Sequence, residues 1–536
     1  MCKRRLLINL TVFLLVTVLA GCSPQVQTGG GKQDGGILRV GSLQEPDYLN
    51  PPLSEMLTSA EVSKMIFSGL LQVDDEMNYF ADLAKEVPSE ENGGIAIEGD
   101  GFVVTYHLRD DVKWHDGEPF DAEDVKFTYE MYMNPAVRVF SNDGYDKIEN
   151  FVVVDPYTVK ISFREIYPAF QQLFDYVLPE HILSQSADIN TDEFNRNPVG
   201  TGPFKFVRWE PGAYIEVAAN EEYYGDGPYL DSIIYKIVPD VNTLLTQLKT
   251  GEVDAFFNFN WAQLEEIEKT TGVSAYITPA MFWEHVDFNL RRPLFQDKAV
   301  RQAVFTAIDR QQIVDMLMYG RVEIATGDQA PISWAYNSNV KQYRKDTAEA
   351  RALLEGAGWT LGTDGIYEKD GQKLSFTIST TAGDVQREQI EQLMKEQLRE
   401  AGINLEIRNY DALTLFGDII ENGKFDTVLF AWMAGVDPDN FTLWHSDQLP
   451  PNGQNYPHFI NARVDELIEA SRQTFDQTAR KECFDEIQEI LAEEVPVMPL
   501  YYRANLDVAV SKLHEFKPNP TSYSNMWNCS QWWLEQ

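Results

Sequence analysis

From residue 35 to residue 511 the apolar pattern of this chain switches repeatedly between period 2 and period 3.6, a texture that belongs to sheets covered by helices. The stretch "DGFVVTYHLRDDVKW" (100–114) alternates from Val103 to Leu108 and reads as a strand. In "PFDAEDVKFTYEMYMN" Asp121 stands three residues before Asp124 and just ahead of Val125, Phe127 and Tyr129, which predicts a capped helix start. "GGILRVGS" (35–42), "DPYTVKISF" (155–163), "FKFVRW" (204–209), "AYIEVAAN" (213–220) and "SIIYKIVP" (232–239) read as further strands. "VNTLLTQLKTGEVDAFF" opens as a helix that Gly251 ends. The predicted class is therefore α/β.

From about residue 298 the helices lengthen. "KAVRQAVFTAIDRQQIVDMLMYG", "VQREQIEQLMKEQLREAG" and "ARKECFDEIQEILAEE" are amphipathic, and "KLSFTIST", "INLEIRNY" and "FDTVLFAW" are strands among them, as in a second α/β domain. The tail "PVMPLYYRANLDVAVS" returns to strand character and suits a C-terminus that crosses back to the first domain. At 536 residues and 61.2 kDa the chain exceeds one ordinary core, so two or three domains are expected.

The N-terminus carries a different signal. "MCKRR" precedes the 15-residue, mainly apolar "LLINLTVFLLVTVLA", short for a membrane span of about 20 residues but suited to a secretory signal over 1–21. "LAGC" (19–22) resembles the bacterial lipobox, which would put lipid on Cys22 and anchor the mature protein to a membrane. The Gly-rich, polar stretch at 22–36 then reads as a flexible tether. A net charge of −39 repels phosphate backbones and argues against a nucleic-acid partner. With Cys2 in the signal and Cys22 lipidated, only Cys483 and Cys529 could pair. Cys483 shares an apolar helix face with Ile487, Ile490 and Leu491, so a buried free thiol is expected rather than a bridge.

Chemistry-bearing motifs are missing. There is no GxxxxGK[ST], HExxH, CxxC or GxSxG, and no pair among the seven histidines has helical metal-site spacing. No catalytic residue, metal ligand or cofactor site is assigned. "KWHDGEP" holds His115 and Asp116 but reads as a turn, and "GTDGIYEKDGQ" reads as a hairpin between Ile366 and Leu374 rather than a calcium loop. A secreted hydrolase would rest on paired acids such as Asp437 and Asp439, without a nucleophile beside them. Aromatics are abundant where strands give way to loops, in "MFWEHVDFN" (281–289), "ISWAYN" (332–337) and "LFAWMAGVDPDNFTLWHS" (429–446), positions that could line a pocket.

In order along the chain, "GGILRVGS", "YHLRDDVKWHDGEPFDAEDVKFTYE", "NPVGTGPFKFVRWEPG", "YLDSIIYKIVPD", "LKTGEVDAFF", "FQDKAVRQAVFTAIDRQQIV", "ARALLEGAGW" and "FDTVLFAWMAGVDPDNF" resemble the blocks of the family 5 extracellular solute-binding proteins of peptide-importing ABC transporters. The resemblance implies a periplasmic-binding-protein-like type II fold, two lobes with a hinge, built from three discontinuous domains. These fall at 37–80, 198–288 and 500–536 for the first, 81–197 for an inserted second, and 289–499 for the third. It also implies a monomer that performs no reaction, captures an oligopeptide and hands it to a permease, with an oligosaccharide as the alternative ligand. The family's cleft tryptophan falls on Trp432, flanked by Ala431 and Met433; its ammonium-binding aspartate falls on Gly435. Asp437 could reach the ligand or cap a helix starting in "PDNFTLW", and the cap is the favoured expectation. Trp283, Phe288, Asn289 and Trp334 complete the expected ligand-binding set.

Overall fold

A computed structural model describes residues 32–521 and 524–536. The signal segment, Cys22 and most of the tether lie outside the described residues. One ten-stranded sheet runs through the molecule in the order Asn404–Ile407, Ser375–Ser379, Thr427–Met433, Val273–Phe288, Val497–Val510, Ala255–Phe256, Ile37–Ser42, Ser232–Ile237, Tyr214–Ala219, Phe204–Glu210. Two long central strands, Val273–Phe288 and Val497–Val510, are antiparallel and serve both halves. Their pairing runs from Val273 opposite Val510 to Pro279 opposite Ala504, is interrupted, and resumes with Trp283 opposite Tyr502.

That interruption divides the sheet into two lobes. On one side the neighbours are Ala255–Phe256 and Ile37–Ser42, backed by a core that includes Leu38, Val40, Tyr235 and Trp532. On the other side Thr427–Met433 pairs with the second half of the first long strand, from Phe282 opposite Met433 to Phe288 opposite Thr427. There the helices Lys298–Ala307, Thr347–Gly356 and Val385–Ala401 cover a core built on Phe295, Phe376 and Leu398. The expected return of the C-terminal tail to the first domain is thus the second long strand.

A four-stranded antiparallel sheet, in the order Ile95–Glu98, Gly101–His107, Thr158–Phe163, Ile148–Asp155, has its own core around Phe102, Trp114, Phe120 and Phe170. Its helix, Ala122–Met133, opens with the expected cap: Asp121 accepts from Glu123 N at 2.9 Å, while Asp124 Oδ2 accepts from Asp121 N at 3.0 Å. Helix Val241–Thr250 closes on Gly251 at φ +76°, a left-handed position that glycine adopts without strain. "KWHDGEP" is a turn, with Gly117 N donating to Trp114 O at 2.9 Å. The expected hairpin at 366–374 forms, and Thr360–Leu361 joins it as a third strand. Both described cysteines are free, but only Cys529 is buried. Cys483 is half-exposed, because Phe484 and Ile487 carry the buried face of helix Gln477–Glu494.

Candidate functional site

Where the two long strands cross between lobes, Glu284 is fully enclosed and holds two guanidinium groups. Arg387 Nε donates to Oε1 at 2.6 Å, and Arg503 donates to Oε2 from Nε at 2.8 Å and Nη2 at 2.6 Å. Burial opposes the charge of Glu284, but Arg503 and Arg387 outweigh it and hold the carboxyl below the usual glutamate range. Beside this triad an open cavity of ≈ 340 Å³ lies between the lobes. Asn258 and Trp261 reach it from one side, Met318 and Asp384 from the other, and Phe282 and Arg503 form its floor on the long strands. In an antiparallel pair opposite residues share a face, so Met433, opposite Phe282, sits on the same side as this cavity.

A larger cavity of ≈ 860 Å³ opens on the other side of the segment that leaves Met433. The four-stranded domain and the Met77 turn form one wall, with Tyr79, Pro88 and Phe170; the far lobe forms the other, with Trp334, Val436 and Arg480. A β-carbon placed on Gly435 would stand 3.8 Å from the side-chain nitrogen of Gln172, so this glycine faces the four-stranded domain across the cleft. Residues 433–437 thus run between the two cavities.

The expected site residues separate in this frame. Trp334 and Asp437 line the larger cavity, and Met433 and Gly435 are exposed on the segment between the two cavities. Trp432 is half-buried, stacked on Tyr456 with ring centroids 5.7 Å apart, and Ala431 is likewise half-buried. Trp283, Phe288 and Asn289 are at most 1 % exposed. Trp283 stacks on His285 at 4.0 Å, Phe288 packs on Phe295, and Asn289 donates to the carbonyls of Gly423 and Phe425, so each is spent on packing the far lobe.

Asp437 corrects the expectation made for it. The helix in this stretch begins only at Phe441, and the carboxylate meeting its first turn is Asp439, whose Oδ1 accepts from Phe441 N at 3.0 Å. Asp437 instead takes a bidentate grip on Arg480, 2.7 Å to each oxygen, with both side chains under a tenth exposed. Its charge is satisfied within the protein. The partner lies 43 residues along the chain, beyond the reach of any local pattern. Phe282, Arg503 and Asp384, which line the smaller cavity, carry no local sequence signal beyond the glutamate inside the apolar run "MFWEHVDF".

Among the described residues no cluster of three His, Cys, Asp or Glu could hold a metal ion, and no helix is long and apolar enough to cross a membrane. Comparison with known proteins places this architecture. The oligopeptide-binding protein AppA of Bacillus subtilis is 31 % identical over 99 % of both chains, and a di/tripeptide-binding protein of Pseudomonas aeruginosa is 28 % identical over 81 % of this chain and 84 % of its own. The structure of Bacillus subtilis AppA with a nonapeptide superposes with a TM-score of 0.72 over 94 % of this chain and 100 % of that one. NikZ of Campylobacter jejuni with Ni(L-His), 30 % identical, gives 0.73 over 92 % and 99 %. Residues 79–453 match the middle region of one family, and with it the whole two-lobed chain belongs to the bacterial extracellular solute-binding proteins, family 5.

Proposed function

We propose that this protein is the extracytoplasmic binding component of an ABC importer, taking oligopeptides into the cleft between its lobes and delivering them to a permease. The observation that carries the reading is the full-length similarity to a protein named for oligopeptide binding, on a fold that opens two cavities on either side of residues 433–437. No reaction is assigned to it. Lipid on Cys22 would anchor a monomer, and the three discontinuous domains would follow the division at 37–80, 198–288 and 500–536, at 81–197 and at 289–499. Main-chain hydrogen bonds to an extended ligand would supply affinity, with roomy pockets for its side chains. Because Asp437 is consumed by Arg480 and position 435 is glycine, the ligand's amino end is held in this reading without a carboxylate from that segment.

The comparison with NikZ, whose ligand is Ni(L-His), favours a second reading in which the cleft takes a small non-peptide solute. Native mass spectrometry of the purified protein separates the two, since a bound peptide ladder supports the first reading and a single small mass supports the second. Trp432→Ala is expected to weaken peptide binding by about 2 kcal/mol, the size of an aromatic hot spot, with a smaller effect on the empty protein. An unchanged affinity removes Trp432 from the site. Cys22→Ser is expected to move the protein from the detergent phase to the aqueous phase, and a variant that stays with detergent removes the anchor.

A further inference from the structure

The lobes also meet away from the strands that join them, at Arg321 with Glu268, where Val73 and Met77 pack with Val436 and Trp444, and at a link between two far-lobe helices. The far-lobe helices Ala462–Ser471 and Gln477–Glu494 are linked by residues 472–476, and Phe475 in that link reaches out of its own lobe. Its half-buried ring packs against the core of the four-stranded domain, with centroids 4.9 Å from Phe102 and 5.9 Å from Phe170, both edge-on. Phe102 and Phe170 are 1 % and 2 % exposed, so the socket belongs to the interior of that domain. Of the half-buried apolar side chains packed on that core, Phe475 alone comes from the far lobe among the described residues.

The link is held rigidly from its own side. Asp476 caps the second helix, accepting from Thr478 N at 2.8 Å and Ala479 N at 3.2 Å, and Thr474 Oγ1 accepts from Asp476 N at 3.0 Å. Arg472 pairs with Asp439 at 3.1 Å and lies over the Phe441 ring at 4.2 Å. Phe475 also lines the larger cavity. A side chain that is pre-positioned by one lobe, seated in the other and placed at the wall of the space between them is arranged to fasten that space shut.

We propose that Phe475 is a latch: its packing against Phe102 and Phe170 holds the lobes closed at the end of the cleft opposite the hinge, and so sets how long a ligand stays. The contact is apolar and edge-on, with no ion pair to desolvate, and it can seat and release as the hinge strands flex. The dwell-time part rests on the reading of the chain as a two-lobed binding protein; the closure part does not. A ligand bound only by the closed form loses apparent affinity in proportion to the closed fraction, so weakening the latch acts at a distance from the ligand.

The test compares wild type, Phe475→Ala and Phe475→Leu by small-angle scattering without ligand and by dissociation of a fluorophore-labelled nonapeptide. Phe475→Ala is expected to enlarge the ligand-free radius of gyration and to speed peptide release about tenfold at unchanged circular dichroism, while Phe475→Leu, still apolar and able to fill the socket, stays near wild type. A ligand-free Phe475→Ala protein as compact as wild type overturns the latch, as does equal expansion in both variants. Wild-type protein that fails to bind the nonapeptide counts against the proposed function alone, because the scattering comparison still decides the latch.

Discussion

At the hinge, closure is built on charge: Glu284, on a strand covalently continuous through both lobes, lies sealed between Arg503 of the other long strand and Arg387 of helix Val385–Ala401. At the opposite end, closure is built on a phenylalanine from a five-residue link, and the ion pair nearby, Asp437 with Arg480, stays within one lobe. The difference follows from what each end must do. Charges taken out of water need their partners at all times, so a buried triad suits a crossing whose strands never part. A ring can leave an apolar socket and return without leaving an unpaired charge behind. The comparison teaches that the crossing which never parts is fixed by buried charge, whereas the lobes meet elsewhere through contacts that can open at little cost, an exposed ion pair of Arg321 with Glu268 at 2.9 Å and an apolar ring.

The strongest way to break this distinction is at the hinge. Glu284→Gln leaves two guanidinium groups facing each other without a carboxylate and is expected to lower unfolding stability by about 4 kcal/mol, measured by urea denaturation. Because the folded carboxyl is held below the usual range, the wild-type advantage is complete above the ordinary glutamate range and fades only as pH falls through the lowered folded value. A loss that is already gone at pH 6 contradicts the triad. Next in size is Asp437→Asn, which strands Arg480 under a tenth exposed and is expected to cost about 3 kcal/mol of stability. If that variant keeps its melting behaviour and loses affinity for peptide ammonium groups instead, the pair is not the main business of Asp437.

A smaller effect sharpens the picture along the second long strand. Asp507 accepts from Asn258 N at 2.9 Å, and burial pushes its carboxyl up to about 7, with Glu61, also raised to about 7, close by. An acid raised in the folded state favours folding when protonated, so its contribution is present below the unfolded value near 4 and is lost as pH rises towards 7. Wild type is expected to lose about 2 kcal/mol of stability between pH 5 and pH 8 that Asp507→Asn does not lose. Parallel pH profiles for the two proteins would show that Asp507 does not titrate against folding.

Much of the fold was legible because it is written in local chemistry. Asp121 with Asp124 announces a helix start, Gly251 announces a helix end, and the alternation from Val103 to Leu108 announces a strand, each within a few residues. The site was less legible. Trp432 and Trp283 stand directly opposite each other on paired strands and look alike as strand-end aromatics, yet one is half-buried against Tyr456 and the other is sealed in the core. Their difference comes from what packs over each ring, and that material comes from distant parts of the chain.

By itself, then, the sequence determined the strand and helix texture, the class it builds, the change near residue 298 and the absence of a recognisable nucleophile or metal motif, because periodicity and capping act over one or two turns. Tertiary structure alone decided that Asp437 belongs to Arg480, that Glu284 gathers Arg387 and Arg503 from either side, and that Phe475 crosses to pack against Phe102 and Phe170. The physical reason is shared: a buried charge or an exposed ring takes its meaning from the partner that satisfies or covers it, and here folding brings those partners from far along the chain.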